Sequence, residues 1–348
     1  MQHVTKYYVS GHTAEGYVNF LSSNLVQINK VIVLQHPSNR LKTRVLEKLA
    51  APFEGKEHIE RICSSRSNDY LEGIIMRESS LAVLAEQVVK DKINNATYIN
   101  LENYQPSGIN KDLLKEFESK IVSLQNEAYT HFKRGLIIHD DLEKIYINEM
   151  DFNKADQEAE QFIHLLFNGI KKKQKDSIIY ERLFGTNTSD GVVNLVEHLI
   201  DPIENRVFIK GRAGTGKSFF MKKILESSIE HGFDIELYHC SFDPESIDML
   251  IIRELDYCLF DSTDPHEFFP SREGDQIIDL YEKTVAKGTD EKYATEISKL
   301  TIQYKTEMRE GINKLRQTKL LEREKEKRFK EVNEVELESA IQKIAIKQ

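Results

Sequence analysis

Gly211-Arg212-Ala213-Gly214-Thr215-Gly216-Lys217-Ser218 fits the pattern G-x-x-x-x-G-K-[ST], and its flanks are those the pattern requires. The apolar run Val207-Phe208-Ile209 reads as the strand before it, and Phe219 to Leu225 follows with helical character. Glycines at these places let the backbone turn tightly, so that successive N–H groups converge on a phosphate. The helix that starts at the loop adds the positive end of its dipole. Lys217 is expected to neutralise the β- and γ-phosphates, and the Ser218 hydroxyl to ligate Mg²⁺. A glycine-rich turn without a ligand is the plainer alternative; a complete motif between strand and helix weighs against it. Gly211 through Phe219 are therefore expected to cradle a nucleotide, with ATP and Mg²⁺ as the ligands.

Downstream, Leu255 to Phe260 is apolar but for Asp256, and it delivers Asp261 at the carboxyl end of a strand. A carboxylate beside a phosphate loop holds Mg²⁺ directly or through water, so Asp261 is the second expected metal residue, with Asp256 next in line. Many strands end in aspartate, and Asp261 gains weight from the intact loop that precedes it. Open α/β sheets bind their ligands at this edge. The polar stretch from Ser262 to Asp275 then hangs over the γ-phosphate position. His266 and Glu267 in it are candidates for the base and Arg272 for charge stabilisation, against the plainer reading of a solvated loop. His239, Cys240, Asp261 and His266 invite a transition-metal reading, but their spacing follows no zinc pattern.

The chain also repeats itself. Thr13-Ala14-Glu15-Gly16 recurs as Thr188-Ser189-Asp190-Gly191, an offset of 175 residues. At that offset Val18-Asn19 becomes Val193-Asn194, and Lys42-Thr43 falls on Lys217-Ser218. With one residue of slip, Ile59-Glu60 matches Ile235-Glu236, and Ile75-Met76-Arg77-Glu78 matches Ile251-Ile252-Arg253-Glu254. The first half has a strand at Val31 to Leu34 and a helix from Leu41 to Leu49, yet the loop between them contains no glycine. His36 stands for Gly211, Leu41 for Gly216, and Pro37 removes a backbone donor. The next strand, Leu81 to Leu84, ends in Ala85 where the second half has Asp261. The first site is expected to be dead, with Lys42 and Thr43 as remnants.

Residues 106–170 and 286–348 read as helical modules. Leu114, Phe117, Ile121, Leu124 and Ala128 form one amphipathic stripe, and Ile297, Leu300, Tyr304, Met308, Ile312 and Leu315 another. Such stripes are read as helix packing rather than a cofactor site. His139-Asp140-Asp141 reads as a solvated helix face rather than a metal site, because adjacent helical residues do not face one another. Asn153-Lys154-Ala155-Asp156 fits a guanine-reading motif but lies in a helical stretch before the phosphate loop, and is read as coincidence. Glu322 to Arg328 reads as an exposed helix supported by ion pairs. A lysine run, Lys171-Lys172-Lys173-Gln174-Lys175, marks a linker over 171–180. The expected units are thus a degenerate α/β domain at 1–105, the module 106–170, the linker, an intact nucleotide domain at 181–285 and the module 286–348. The fold class is α/β: a tandem duplicated P-loop NTPase fold, a parallel sheet between helices in each half, and a charged helical module after each.

The remaining properties bound the partners. A net charge of −9 argues against a broad nucleic-acid surface. Three scattered cysteines make no disulfide framework, no apolar stretch reaches bilayer length, and no signal peptide opens the chain, so a cytoplasmic protein is expected. Protein partners are expected to meet the helical modules.

On Gly211 to Ser218, His239-Cys240-Ser241-Phe242-Asp243-Pro244, Asp261-Ser262-Thr263 with Pro265-His266, and Phe269 to Asp275, the chain resembles a bacterial family of tandem P-loop ATPase-like proteins, typical of bacilli and their relatives. The resemblance covers essentially the whole chain and implies ATP binding with hydrolysis. The family's first half usually carries a working-looking loop; His36, Leu41 and Ala85 depart from it. Three functions compete: a Mg-dependent ATPase, a P-loop kinase acting on a small acceptor, and a nucleotide-sensing scaffold without turnover. Ser262 stands where many hydrolytic P-loop proteins have glutamate, which leaves the ATPase without an obvious base.

Overall fold

A computed structural model of the chain describes residues 4–103, 108–264 and 267–329, together with 333, 334, 337, 338, 341 and 342. It is a mixed α/β structure, and its two halves repeat strand for strand. The first sheet contains β1 (Val4–Tyr7), β4 (Lys30–Gln35), β5 (Ile59–Cys63), β6 (Leu71–Met76), β7 (Leu81–Ala85) and β8 (Thr97–Asn100), in the order β1-β5-β6-β7-β4-β8. The second contains β9 (Ile179–Leu183), β12 (Asn205–Lys210), β13 (Ile235–His239), β14 (Ile247–Ile252), β15 (Tyr257–Asp261) and β16 (Gln276–Asp279), in the order β9-β13-β14-β15-β12-β16. Each strand of the second order is the repeat of its counterpart in the first. The duplication read from scattered identities therefore holds at the level of topology.

Two features depart from a parallel sheet between helices. First, β6 and β14 run antiparallel to both of their neighbours. The turns before them are too short for a parallel crossover, so the chain has to return as a hairpin. Second, one face of each sheet is covered by the other sheet. Val31 and Val33 share a core with Phe208, Tyr238, Met249 and Phe260. The alternate residues Ile32 and Leu34 pack instead under helix α2 (Asn39–Ala50), and Val207 and Ile209 under α6 (Lys217–Glu230). Burial on both faces explains why these strands read as unbroken apolar runs.

The hairpins β2 (Ser10–Thr13)–β3 (Gly16–Asn19) and β10 (Gly185–Thr188)–β11 (Gly191–Asn194) join into one four-stranded sheet across the halves. The helical modules also cross over. Helix α3 (Lys111–Ile147) lies antiparallel along α9 (Ala294–Glu326), from Glu118 beside Lys325 to His139 beside Tyr304. Phe132 fills the space that a side chain on Gly311 would occupy, which sets how closely the helices approach. The carboxyl end of α3 thereby reaches the second half, and that of α9 reaches the first.

The run Glu322 to Arg328 is not the exposed helix its charge suggests. Glu322, Lys325 and Glu326 are buried, and Lys325 is held by Glu118 at 2.8 Å and Glu322 at 2.9 Å. A partner helix from the other half supplies the counter-charges, and local sequence carries no trace of it. In the lysine run, Lys172 and Lys175 are exposed and pair with Glu230 at 3.3 Å and Asp234 at 2.8 Å. Among the described residues no helix is long and apolar enough to cross a membrane.

Candidate functional site

Strand β12 ends at Lys210, and the loop from Gly211 turns back into α6. Gly214 and Gly216 take φ of +73° and +81°, which a side chain would strain, so both glycines are required where the motif has them. The loop braces itself: the Thr215 hydroxyl donates to the Arg212 carbonyl at 2.9 Å and accepts from the Arg212 amide at 3.2 Å. Lys217 reaches back to donate to the Arg212 carbonyl at 2.7 Å, and its ammonium lies 3.6 Å from the Asp261 carboxylate. Strand β15 pairs directly with β12, with Ile209 opposite Asp261, and that pairing delivers the carboxylate to the loop. The Thr263 hydroxyl orients Asp261 from 2.6 Å. The Ser218 hydroxyl accepts the Ile247 amide at 2.8 Å. Thr43 does the same for the Leu71 amide at 3.0 Å, so this hydroxyl has a structural duty in both halves.

One buried acid beside the loop is not among the residues that the motif spacing singles out. Asp248, on β14, is buried beside Asp261. Burial first, and the Asp261 charge second, push its carboxyl up to about 8, while the Cys240 thiol and Lys217 act to lower it. An acid inside the apolar run Ile247 to Ile252 was the available signal. Asp261, Asp248 and Ser218 all line the cavity beside the loop and offer oxygen donors, the type that a hard divalent cation takes. Phe219 sits half exposed at the rim.

The other predicted residues separate. Glu267 lies beside Lys210, 3.5 Å from its ammonium, at the edge of the same cavity. Arg272 is not brought to the loop: its guanidinium donates to the Asp201 carbonyl at 2.8 Å, before the start of β12 and so at the opposite end of the sheet. His266 lies outside the described residues. His239 turns away to the Pro244 carbonyl at 2.8 Å and Glu181 at 3.2 Å and stacks on Phe20, so it forms no cluster with Cys240 and Asp261. Asp256 occupies a left-handed turn before β15, bonded to the Asn205 amide through its carbonyl, with no approach to the loop.

Helix α3 roofs the site. Of His139-Asp140-Asp141, the two aspartates are exposed as a solvated face requires, while the partly buried His139 borders the cavity and, with Asp140 and Glu143, brings ligand atoms within 4.8 Å of one another. The backbone of Glu143 packs on the loop, where a Cβ on Gly214 would meet the Glu143 carbonyl oxygen at 2.5 Å, and its side chain lines the cavity. Arg212 is pinned outward by Asp290 at 3.0 Å. The resulting cavity has a volume of about 1240 Å³ and runs from the loop past Asp261 and Asp248 to Cys240, Tyr304 and Met308.

In the first half the equivalent place is filled. Glu326 accepts the Asn39 amide at 2.6 Å and the Ser38 hydroxyl at 2.7 Å. Lys42 is buried, its ammonium 3.6 Å from Glu86, and burial lowers it to about 8. Glu72 repeats Asp248, with Ser64 donating to it at 3.0 Å where Cys240 faces Asp248. Leu41 packs into the core under α2. No protein-family model, curated protein or solved structure matches this chain.

Proposed function

We propose that the second half binds ATP with Mg²⁺ and hydrolyses it, on a tandem duplicated P-loop NTPase fold whose first half is a structural partner. The observation that carries this reading is the contrast between equivalent places: Gly214, Gly216, Lys217 and Asp261 meet in one half, and Asn39, Leu41, Lys42 and Ala85 replace them in the other. Loop amides and Lys217 would hold the polyphosphate, and Ser218 with Asp261 would hold the metal. Bound Mg²⁺ neutralises charge on the β- and γ-phosphates. Asp248 is the acid left beside Asp261 for the base's part, its proton affinity raised by burial and by the Asp261 charge. Ser262 cannot take that part, because its hydroxyl braces the following loop through the Phe268 carbonyl and amide at 2.7 and 3.0 Å.

A second reading has one observation in its favour. The cavity exceeds the usual range for a single small ligand, roughly 300–1,000 Å³, and its far end is lined by Cys240, Phe242, Tyr304 and Met308. Such a chamber suits a small acceptor for the γ-phosphoryl group. Phosphate release from ATP alone, compared with transfer to a panel of nucleosides and sugars, separates hydrolysis from transfer.

Two expected results test the main reading. Titration with a non-hydrolysable ATP analogue and Mg²⁺ should give about one ligand per chain, because the Glu326 carboxylate holds the first half's amide and Ala85 offers no metal ligand. A stoichiometry near two would contradict it. Asp261→Asn should retain most of the binding yet cut phosphate release by about a hundredfold, through lost transition-state charge stabilisation. Unchanged turnover would move the metal role elsewhere.

A further inference from the structure

Helix α4 (Phe152–Phe167) runs alongside α6, start beside start and end beside end. Met150, in the turn before α4, lies 3.1 Å from where a Cβ on Gly216 would sit. Farther along, Asp156 pairs with Lys223 at 2.6 Å, and Phe167 stacks on His231 at 4.0 Å. Phe152 and Phe219 stand in the first turns of the two helices, each one turn before the residue that makes the Asp156–Lys223 bridge and on the same face as it. Both line the cavity, and both are exposed, at 59% and 48%. Exposed rings at a cavity mouth, with Ile147 exposed on the same rim, mark a surface kept for a ligand. The repeat sharpens the point. Arg44 is the counterpart of Phe219, and it pairs with Glu334 in the half whose loop has lost its glycines. The aromatic ring stands only where the loop is intact.

We propose that Phe152 and Phe219 form the slot for the nucleobase of the bound triphosphate, which is held by ring stacking rather than by polar readout. This rests on the nucleotide-binding reading of the same loop. The direction of the ligand follows from the sheet. Strand β12 lies between β15, which carries Asp261, and β16. Lys217 and Asp261 mark the end of the loop where the γ-phosphate belongs, on the β15 side. The α-phosphate, sugar and base then extend the other way, past the first turn of α6. On that side stand β16 and the helix that follows it, α7 (Leu280–Thr284), which holds α4 in place. Lys283 pairs with Glu158 at 2.5 Å, and the Asp151 amide donates to the Thr284 carbonyl at 2.7 Å. Stacking suits any base, because each has a π-face. The N-K-x-D stretch, Asn153 to Asp156, follows Phe152 directly, but its aspartate is turned to Lys223 instead of being free to read guanine.

The test is isothermal titration of the full chain, with Mg²⁺, against a non-hydrolysable ATP analogue, its GTP counterpart and inorganic tripolyphosphate, which carries the charge without a base. In Phe152→Ala and Phe219→Ala the ATP analogue should bind about tenfold more weakly, while tripolyphosphate binds as it does to wild type. Phe219→Tyr keeps a ring and should retain the wild-type affinity for the analogue; it also covers the case in which alanine unfolds the chain. The ATP and GTP analogues should bind wild type within about threefold of each other, since stacking tolerates either base. Unchanged affinity for the ATP analogue in both alanine variants, or an equal loss for analogue and tripolyphosphate, overturns the slot and leaves the phosphate site standing. A preference of about a hundredfold for one base, the mark of a site that hydrogen-bonds its ligand, overturns readout by stacking. Wild type that binds none of the three probes overturns the nucleotide reading and the slot with it.

Discussion

Lys217→Ala should lose the rise in melting temperature that ATP and Mg²⁺, if held as proposed, would give the wild-type chain. The ammonium lies 3.6 Å from Asp261 and 2.7 Å from the Arg212 carbonyl, at the mouth of the loop where β- and γ-phosphates would sit. Its side chain is largely buried there, so its attraction to a polyanion is weakly screened. Removing one partner of such a charge pair costs about 4 kcal/mol of binding, roughly a thousandfold in affinity. At a ligand concentration about a hundred times the wild-type dissociation constant, binding stabilises the fold by about 2.7 kcal/mol. The same concentration would leave the variant below its own dissociation constant, where stabilisation is about 0.1 kcal/mol or less. For a chain of this length the wild-type shift corresponds to about 4 °C, against no measurable shift in the variant. Differential scanning fluorimetry with and without MgATP reads the difference. A wild-type shift retained by Lys217→Ala would mean that nucleotide, if bound, is held elsewhere. Lys42→Ala is the matched control and should leave the shift unchanged, since Lys42 is buried beside Glu86 and faces no amide cradle of its own.

What could be read in the sequence was local or periodic. The loop at 211–218 announced itself because its glycines, lysine and serine act within one turn of chain. Asp261 followed because a strand delivers its last residue to the sheet edge. The duplication was legible because related halves keep identical residues at constant spacing. The misreadings share a cause: the deciding neighbour comes from far away in the chain. His139 looks like part of a solvated helix face until α3 is laid across the opposite half's loop. Glu322, Lys325 and Glu326 look like a surface charge run until Arg66, Glu118 and Ser38 meet them. Arg272 looked available to the phosphates because loop length does not say which end of the sheet a side chain will reach. Asp248 was missed for another reason. A single acid in an apolar strand gives no period, and only pairing with β15 sets it against Asp261. The antiparallel β6 and β14 depart from the parallel sheet expected of each half, because an apolar run carries no sign of the direction in which its strand will pair.

The same long-range logic fixes the second large effect, at the seam between the sheets. Arg182→Met should destabilise the fold by about 3–5 kcal/mol, a large share of the roughly 5–15 kcal/mol that holds a domain together. Arg182 is fully buried, and its guanidinium bridges Glu60 of the first sheet and Glu236 of the second, each at 3.1 Å. It also donates to the Asn24 side chain at 2.8 Å and lies 3.8 Å over the Tyr7 ring. Arg77 backs Glu60 at 2.6 Å and Arg253 backs Glu236 at 2.8 Å, so three cations serve two buried carboxylates. Methionine roughly matches the volume but leaves the carboxylates without the cation that sits between them. Loss of one partner from a buried network is costly because the remaining charges stay desolvated.

The pH dependence distinguishes charge from packing. Burial alone would raise the Glu236 carboxyl; Arg253 and then Arg182 overcome it and hold it down to about 2. A carboxyl depressed in the folded state stabilises fully above its unfolded pKa, about 4.3, and that contribution is lost as pH falls through the folded value. The cost of Arg182→Met, read from urea unfolding, should therefore be greatest at pH 7 and shrink at pH 3.5. A cost that stays constant over that range would assign the loss to packing around Tyr7 and Asn24 rather than to the ion network.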